Sequence, residues 1–328
     1  MMKKHHRAAC ILAGLTMGLA AMAQAPNNTG TYYKNADGKT GAALKSALSQ
    51  CIYNRTERSY GDLWTDFEKT DKRSDGKVWD MYSGTNNFEF GVNQDRGSGG
   101  GSEGQYYNRE HSFPKAWFGG KVPPMYTDLH HMYPTDKLIN NKRSDNPFGE
   151  VDKVTWQSNG GFSKLGSSKT PGYSGVVFEP NDQYKGDFAR TYFYMVTCYD
   201  EKLPDWYSEM LDGTQYPGLA KWALDMLMRW AKNDPVSQKE IDRNNAVYDI
   251  QNNRNPFIDY PGLEDYIWGN KVGQAFHYDN YDAGLNNMAA QKTVKKGSTY
   301  NIKGQRMRSN RNLRRGVYVR NKKKVVVK

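Results

Sequence analysis

A glutamate and a histidine are adjacent at Glu110 and His111, and an asparagine follows at Asn140. A neutral imidazole can take a proton from water near neutral pH, because its ordinary pKa is about 6.5. Carboxylate and amide oxygens are the hard donors that magnesium prefers. Together they could activate a water molecule beside a metal ion that stabilises charge on a phosphate. The three residues therefore predict metal-assisted phosphodiester hydrolysis.

A strand must position the first two of these residues. Neighbours on a regular strand point to opposite faces of the sheet. For Glu110 and His111 to serve one site, the strand must end, twist or bulge near Arg109. The Phe113-Pro114 pair that follows favours such an interruption.

A second strand and a helix must supply the other half of the site. Residues 128–133 predict the strand, and residues 134–143 predict a short helix opened by proline. On that helix Asn140, Arg143 and Ser144 share one face. We expect Asn140 to present its amide oxygen to the metal and Arg143 to reach a phosphate in a forked contact.

The first residues of the chain have the pattern of a signal peptide. Three basic residues precede an apolar run over 8–21, and a small-residue site ends the segment at residue 23. The apolar run is too short for a retained membrane span, and no later segment reaches about 18 apolar residues. Export of a mature protein without a membrane span is therefore predicted.

Net charge does not identify the partner. The chain has a formal charge of +11, but residues 292–328 hold fourteen Lys and Arg with no acid, and the leader holds three more, so the middle is 11 − 14 − 3 = −6. A basic surface is the usual signature of nucleic-acid binding. The functional prediction therefore depends on motifs and not on bulk charge.

The last thirty residues, 299–328, alternate short apolar strands with turns at 304–305 and 314–316 and end in a valine run. This pattern favours a small β-rich module after a linker over 273–298. A disordered basic arm that binds polyanions is the alternative.

The two cysteines that remain after the leader are Cys51 and Cys198. They could form one disulfide or stay as two free buried thiols, and the sequence favours neither.

Three helices are predicted in the middle of the chain. Apolar residues recur at helical spacing over 185–197 and again over 217–232. A third helix begins after Ser237, because Glu240 three positions later completes a capping box. These apolar stripes predict a buried core.

Four segments resemble the bacterial endonuclease I family: residues 108–149 around the Glu-His pair, LWTDFEKTD from 63, EPNDQYKGDFARTYFYM from 179, and the stretch from NDPVSQKEIDR at 233 to 268. The likeness extends from about residue 45 to 270 and indicates a catalytic domain over 26–272. The tail resembles the C-terminal sorting domain of type IX secretion substrates.

The resemblance implies an α+β fold, with a His-Me finger (ββα-metal) core embedded in a mostly helical domain and a small β-rich tail. It implies that Glu110 and Asn140 bind Mg²⁺, which Ca²⁺ or Mn²⁺ could replace, and that His111 is the general base. The implied activity is largely sequence-nonspecific cleavage of DNA, and of RNA as well, leaving 5′-phosphate ends. An arginine that family members place between the two halves has no match here.

Five further residues are candidates for supporting or phosphate-contacting roles. Arg109 and Asp128 flank the motif, and His130 could orient the site, pack beneath it or act directly in catalysis. Arg190 and Arg254 match the family, but they could instead pair with carboxylates that brace the core.

The expected partners are DNA and RNA, contacted through the phosphate backbone, and the outer-membrane secretion machinery, contacted through the tail. We expect a monomer that is secreted, or held at the outer cell surface, after passage through the periplasm. A zinc hydrolase is an alternative, but Tyr107 occupies the place of the first histidine in a His-x-x-Glu-His pattern. An exported, non-enzymatic surface binding protein is the other alternative.

Overall fold

The computed structural model describes residues 26–97, 101–281, 299–301, 316–320 and 323–327. Helices and small antiparallel sheets make up this part of the chain, as expected for an α+β fold. None of the helices described is long and apolar enough to cross a membrane.

Two strands and a helix form the unit that carries the Glu-His pair. Strand β1 (Tyr107–His111) pairs antiparallel with β2 (Met132–Asp136), with Glu110 opposite Tyr133. Helix α3 (Lys137–Arg143) follows β2 directly. The strand β1 ends at His111, as the chemistry requires, so the last two residues of the strand can face one site.

The predicted boundaries of the second half were wrong. Residues 128–131 are not part of the strand, and Pro134 lies inside β2, opposite Arg109, and does not open the helix. A proline is tolerated there because β2 pairs only with β1 and has a free edge. The helix is instead capped by Asp136, whose carboxylate accepts a hydrogen bond from the backbone N–H of Ile139 (3.0 Å).

The three predicted helices are confirmed, as α4 (Lys185–Cys198), α5 (Lys221–Asn233) and α6 (Gln238–Gln251). The Ser237–Glu240 capping box is present in both directions. Helix α4 is buried along nearly its whole length, and its aromatic side chains form the centre of the main core. Phe188 of α4 packs against Tyr133 of β2, so the helix lies against the β1–β2 unit.

Smaller elements surround this core. Helices α1 (Gly41–Ile52) and α2 (Leu63–Thr70) precede β1, and short helices α7 (Pro256–Asp259) and α8 (Glu264–Ile267) follow α6. A second antiparallel sheet has the order β3-β4-β5, formed by Val151–Gln157, Lys164–Ser168 and Val176–Glu179.

The packed domain continues beyond residue 272. Residues 273–281, which were assigned to the linker, pack on the domain: Phe276 is fully buried and exchanges backbone hydrogen bonds with Gly38 and Lys39. The ring of Tyr281 packs against Tyr260. The rest of the predicted linker, 282–298, lies outside the described residues.

Three strands of the tail are described. They are β6 (Thr299–Asn301), β7 (Gly316–Arg320) and β8 (Lys323–Val327), and they pair antiparallel in sequence order. The backbone therefore forms the predicted small β-rich module. The predicted signal peptide, the predicted turn at 304–305 and most of the predicted turn at 314–316 lie outside the described residues.

Both cysteines are free thiols in the structure. Cys198 is buried in α4, and Cys51 is half-buried near the end of α1. Burial raises the pKa of both thiols, which makes them poor nucleophiles.

Candidate active site

A solvent-filled cleft of about 520 Å³ brings four of the predicted site residues together. Arg109, Glu110 and His111 enter it from the end of β1, and Asn140 enters it from α3. The side chain of Lys115, from the segment after β1, lines it as well.

The hydrogen bonding of His111 fixes the tautomer of its imidazole. Its Nε2 lies 3.0 Å from the backbone oxygen of Tyr126. A carbonyl oxygen can only accept, so Nε2 carries the proton and Nδ1 is the unprotonated nitrogen. No described group forms a hydrogen bond to Nδ1. Burial, followed by the neighbouring His131, lowers the pKa of His111 well below its ordinary value, which keeps the ring neutral at neutral pH.

The carboxylate of Glu110 has one occupied and one open oxygen. Its Oε1 accepts hydrogen bonds from the Tyr82 hydroxyl (2.8 Å) and from Nη1 of Arg143 (3.2 Å). Its Oε2 forms no hydrogen bond among the described residues. Burial raises the pKa of this carboxyl, while Arg143 and Tyr82 counteract the shift by stabilising the ionised form. One oxygen is thus fixed in place and the other is available for a ligand.

The donors in the cleft fit a hard divalent cation. Oε2 of Glu110 and the side-chain amide of Asn140 have no partner in the described part of the chain, and both residues line the cleft. No group of three or more His, Cys, Asp or Glu side chains in that part is spaced to hold a metal. A metal in the cleft would therefore have two protein oxygens as ligands, with water and phosphate oxygens completing its shell.

An aromatic stack forms one wall of the cleft and fixes the histidine ring. The His111 and Tyr126 rings stack at 5.0 Å and 23°, and the Tyr126 and Tyr60 rings at 4.6 Å and 26°. The guanidinium of Arg109 lies over the Tyr60 ring at 3.6 Å and donates to the Tyr60 carbonyl oxygen (2.6 Å). The stack thus orients both a base and a cation toward the same space.

Comparison with known proteins gives the family. The family model described as Endonuclease I matches residues 40–262. The chain is 39% identical over 254 residues to an extracellular ribonuclease of Bacillus amyloliquefaciens, covering 74% of this chain and 79% of that protein.

The chain belongs to the Endonuclease I family.

Two other relatives are informative. An extracellular ribonuclease of Bacillus subtilis (strain 168) is 37% identical over 266 residues, covering 78% of this chain and 84% of that protein. An endonuclease-1 of Buchnera aphidicola subsp. Baizongia pistaciae is 30% identical over 132 residues, covering 40% of this chain and 46% of that protein.

Arg143 does not face the cleft of this Endonuclease I chain, so the predicted forked contact with a phosphate is corrected. Its side chain is fully buried and its guanidinium donates to the backbone oxygens of His111 (3.0 Å) and Ser112 (2.7 Å), besides Glu110. It also donates to the Tyr192 hydroxyl (3.1 Å). Arg143 therefore braces the end of β1 and holds Glu110. Arg109 and Lys115 are the cations that line the cleft.

Asp128 and His130 lie in a separate buried network that does not line the cleft. The Asp128 carboxylate accepts hydrogen bonds from the hydroxyls of Tyr194 and Tyr199 (2.8 Å each) and pairs with Arg55 (3.5 Å). His130 donates from Nε2 to the backbone oxygen of Asn253 (3.2 Å). The burial of His130 agrees with a packing role, and the residue does not line the cleft.

Arg190 and Arg254 brace the core of the Endonuclease I domain. Arg190 donates to both oxygens of Glu240 (2.5 and 2.9 Å), and Arg254 donates to both oxygens of Asp259 (2.7 Å each). Both side chains are buried. Both residues make the carboxylate pairs given as the alternative, and neither lines the cleft.

Three tyrosines that hold the site residues in place are not predicted by the sequence motifs. Tyr126 lies only two positions before the Asp-Leu-His segment, so a wider motif window could have included it. Tyr60 and Tyr82 precede the motif by many residues, and no local pattern places them near His111. Only the packing of distant segments reveals them.

Proposed function

We propose that this protein is a secreted, largely sequence-nonspecific endonuclease that hydrolyses phosphodiester bonds of DNA and RNA with one Mg²⁺ ion and His111 as general base. The observation that carries the proposal is the unpartnered Nδ1 of His111 beside the open oxygen donors of Glu110 and Asn140 in one cleft. Family membership supports it.

The base step follows from the tautomer. Nδ1 of His111 takes a proton from water, and the water oxygen attacks phosphorus. The bond from phosphorus to the 3′ oxygen breaks, and the phosphate stays on the 5′ end. The imidazolium positive charge is shared with the Tyr126 carbonyl through Nε2–H, which stabilises the protonated ring.

Glu110 and Asn140 are the proposed metal ligands. Arg143 and Tyr82 hold the Glu110 carboxylate from the buried side, so that only one of its oxygens is presented to the cleft. When bound, a magnesium ion supplies positive charge to the phosphate and to the departing 3′ oxygen. Calcium or manganese are the proposed substitutes, since both accept oxygen ligands. In this assignment β1, β2 and α3 are the ββα unit of a His-Me finger.

Phosphate recognition is assigned to Arg109, with Lys115 next to it. The guanidinium of Arg109 is fixed by Tyr60 and by Trp64, whose ring lies 4.2 Å away. A prealigned guanidinium loses little entropy when it contacts a phosphate. Contacts with phosphate carry no sequence information, which accounts for nonspecific cleavage.

Both nucleic acids are proposed substrates. The Bacillus relatives are named ribonucleases, and the Buchnera relative is named an endonuclease. The Bacillus proteins are also named extracellular, which supports export of this chain. We assign export to the leader over 1–23 and transfer to the outer surface, by type IX machinery, to the tail over 299–328, and we propose that the enzyme acts as a monomer.

The test is degradation of labelled RNA and DNA by the purified full chain with Mg²⁺, with chelator, with Zn²⁺, and with His111→Ala. We expect cleavage of both polymers with magnesium, with 5′-phosphate ends, and a loss of cleavage in the chelator and variant lanes. Restoration by zinc alone would identify a zinc hydrolase. A protein that binds both polymers but cuts neither would be a nucleic-acid-binding protein without nuclease activity.

A further inference from the structure

A groove of about 360 Å³ lies beside the active-site cleft. Ala116 and Asp145 line both spaces, so the two are continuous at the surface. A polymer whose reacting phosphate lies in the cleft must place its neighbouring nucleotides along such an extension. The groove therefore has the right position for a part of the substrate other than the reacting phosphate.

The most exposed aromatic side chain of the described residues projects at this groove. Tyr207 is 83% exposed, whereas the next most exposed tyrosines, Tyr53 and Tyr216, are each 38% exposed. Its backbone is nevertheless anchored, because its N–H donates to the carbonyl oxygen of Trp117 (3.0 Å) and its neighbours Trp206 and Ser208 are buried. An exposed ring on a fixed backbone is available for stacking at little entropic cost.

The rest of the groove is ordered as well. Tyr173 lines it and stacks on Trp222 at 4.3 Å and 11°. The Trp222 indole N–H donates to the backbone oxygen of Glu209 (2.9 Å), which ties that segment to α5. Flat, rigid apolar surfaces of this kind suit a planar ligand.

The cleft and the groove differ in the charged residues that line them, and this difference determines which part of a substrate each can bind. Asp145 lines both spaces, but the cleft also contains the cations Arg109 and Lys115, which accompany the carboxylate of Glu110. The groove adds a second acid, Glu209, and is lined by no Lys, Arg or His. A phosphate would be repelled from the groove. A neutral ring with amino groups at its edge could stack on tyrosine and donate hydrogen bonds to a carboxylate.

We propose that the groove is a nucleobase subsite in which Tyr207 stacks on an unpaired base of the substrate strand, adjacent to the nucleotide whose phosphate is cut. This inference rests on the proposed nuclease function. A base inside a duplex is already stacked and paired, so only a single strand can supply it without the cost of opening a duplex. The subsite therefore favours single-stranded RNA and DNA over duplexes, without selecting one sugar.

The test compares cleavage of a single-stranded oligonucleotide and of its duplex by the full chain and by Tyr207→Ala. Stacking on an aromatic side chain contributes ~1 kcal/mol or more per base. We expect kcat/KM for the single strand to fall about fivefold to tenfold and kcat/KM for the duplex to stay within twofold. Tyr207→Trp should retain the wild-type value for the single strand, and Tyr53→Ala, which removes an exposed ring outside both spaces, should change neither value.

An abasic series locates the base. One nucleotide at a time is replaced by an abasic residue near a single cleavage position. At one position, removal of the base should slow cleavage by the wild-type protein to the rate that Tyr207→Ala shows on the intact strand. The same removal should not change the rate of cleavage by Tyr207→Ala. Equal rates for the wild-type protein and Tyr207→Ala on every substrate would overturn the subsite while leaving the nuclease function intact. A wild-type protein that cuts none of them would refute the nuclease function itself.

Discussion

Two acid–histidine pairs lie within twenty-one positions of each other and have opposite environments. In the first, Glu110 and His111 line the cleft, and each keeps one donor or acceptor position open. In the second, Asp128 is fully buried and its oxygens accept hydrogen bonds from Tyr194, Tyr199, Gln251 and the backbone N–H of His130. A carboxylate whose two oxygens are both hydrogen-bonded stabilises the fold, whereas one with an open oxygen can bind a ligand.

The pKa shifts show the same contrast. Burial raises the pKa of the Glu110 carboxyl. Burial acts in the same direction on Asp128, but Arg55 and the two neighbouring histidines outweigh it and hold the pKa of that carboxyl below its ordinary value. Asp128 is therefore permanently ionised as part of the core. Variants of the first pair should therefore lose activity, whereas variants of the second should lose stability.

The largest effect is expected at the base. His111→Ala should lower kcat by about 10³-fold, within the range that general bases contribute, because no other described group replaces Nδ1. The unfolding midpoint in urea should change little. His130→Gln keeps a donor for the Asn253 carbonyl and should leave kcat within about threefold of the wild-type value, assuming assay conditions in which it is folded. If His111→Ala and His130→Gln lowered kcat equally, the functional distinction between the two acid–histidine pairs would be wrong.

Asp128→Asn should act on stability instead. It leaves the buried Arg55 without its counter-charge, and removal of one partner of a buried pair costs about 3 kcal/mol or more. Urea unfolding followed by tryptophan fluorescence measures the free energy of unfolding. Asp62→Asn, at a surface pair with Arg58, is the control and should leave the free energy of unfolding almost unchanged. Activity per folded molecule should persist, and its loss with unchanged stability would contradict the structural role.

Asn140→Ala should weaken magnesium dependence. It removes one of the two proposed protein oxygens, so the magnesium concentration for half-maximal activity should rise roughly 10- to 100-fold, as at other disturbed metal sites. Asn141→Ala is the matched control, since Asn141 lines the same cleft and is not a proposed ligand. Identical magnesium titrations for the two variants would exclude Asn140 as a ligand.

The smallest effect is a slope of stability against pH. Burial lowers the pKa of His130 to about 3. Between its ordinary value of about 6.5 and pH 3, the unfolded chain binds a proton that the folded chain does not, so stability falls as the pH falls. The contribution is ~1.4 kcal/mol per pH unit. His130→Gln should reduce the slope of the unfolding free energy between pH 6 and 4.5 by about this amount, and an unchanged slope would contradict it.

Sequence predicted the parts of the molecule that local patterns control. The helices α4, α5 and α6 followed from apolar spacing, and the Ser237 cap followed from a four-residue motif. Glu110, His111 and Asn140 were brought to one cleft as expected. Pro134 was misplaced because its preference for the first turn of a helix competes with its tolerance on a strand edge, and only the pairing with β1 decides between them.

The partners of long side chains and the contacts between distant segments could not be predicted from the sequence. Arg143 shares a helix face with Asn140, but its length lets it turn inward to the backbone oxygens at the end of β1. Spacing fixes the face of a helix and not the partner that a long side chain finds. For the same reason Tyr60 was not predicted, since its stacking with Tyr126 depends on how two separate segments pack.

Chemical rescue of His111→Ala tests the central claim most directly. If Nδ1 of His111 is the base, free imidazole should enter the space left by the ring and restore cleavage of a labelled oligonucleotide with magnesium, in proportion to its concentration and to its unprotonated fraction. Asn140→Ala should gain nothing from imidazole. A His111→Ala protein that cuts as fast as the wild-type protein would contradict the account, as would one that stays inactive at every imidazole concentration while still binding the oligonucleotide.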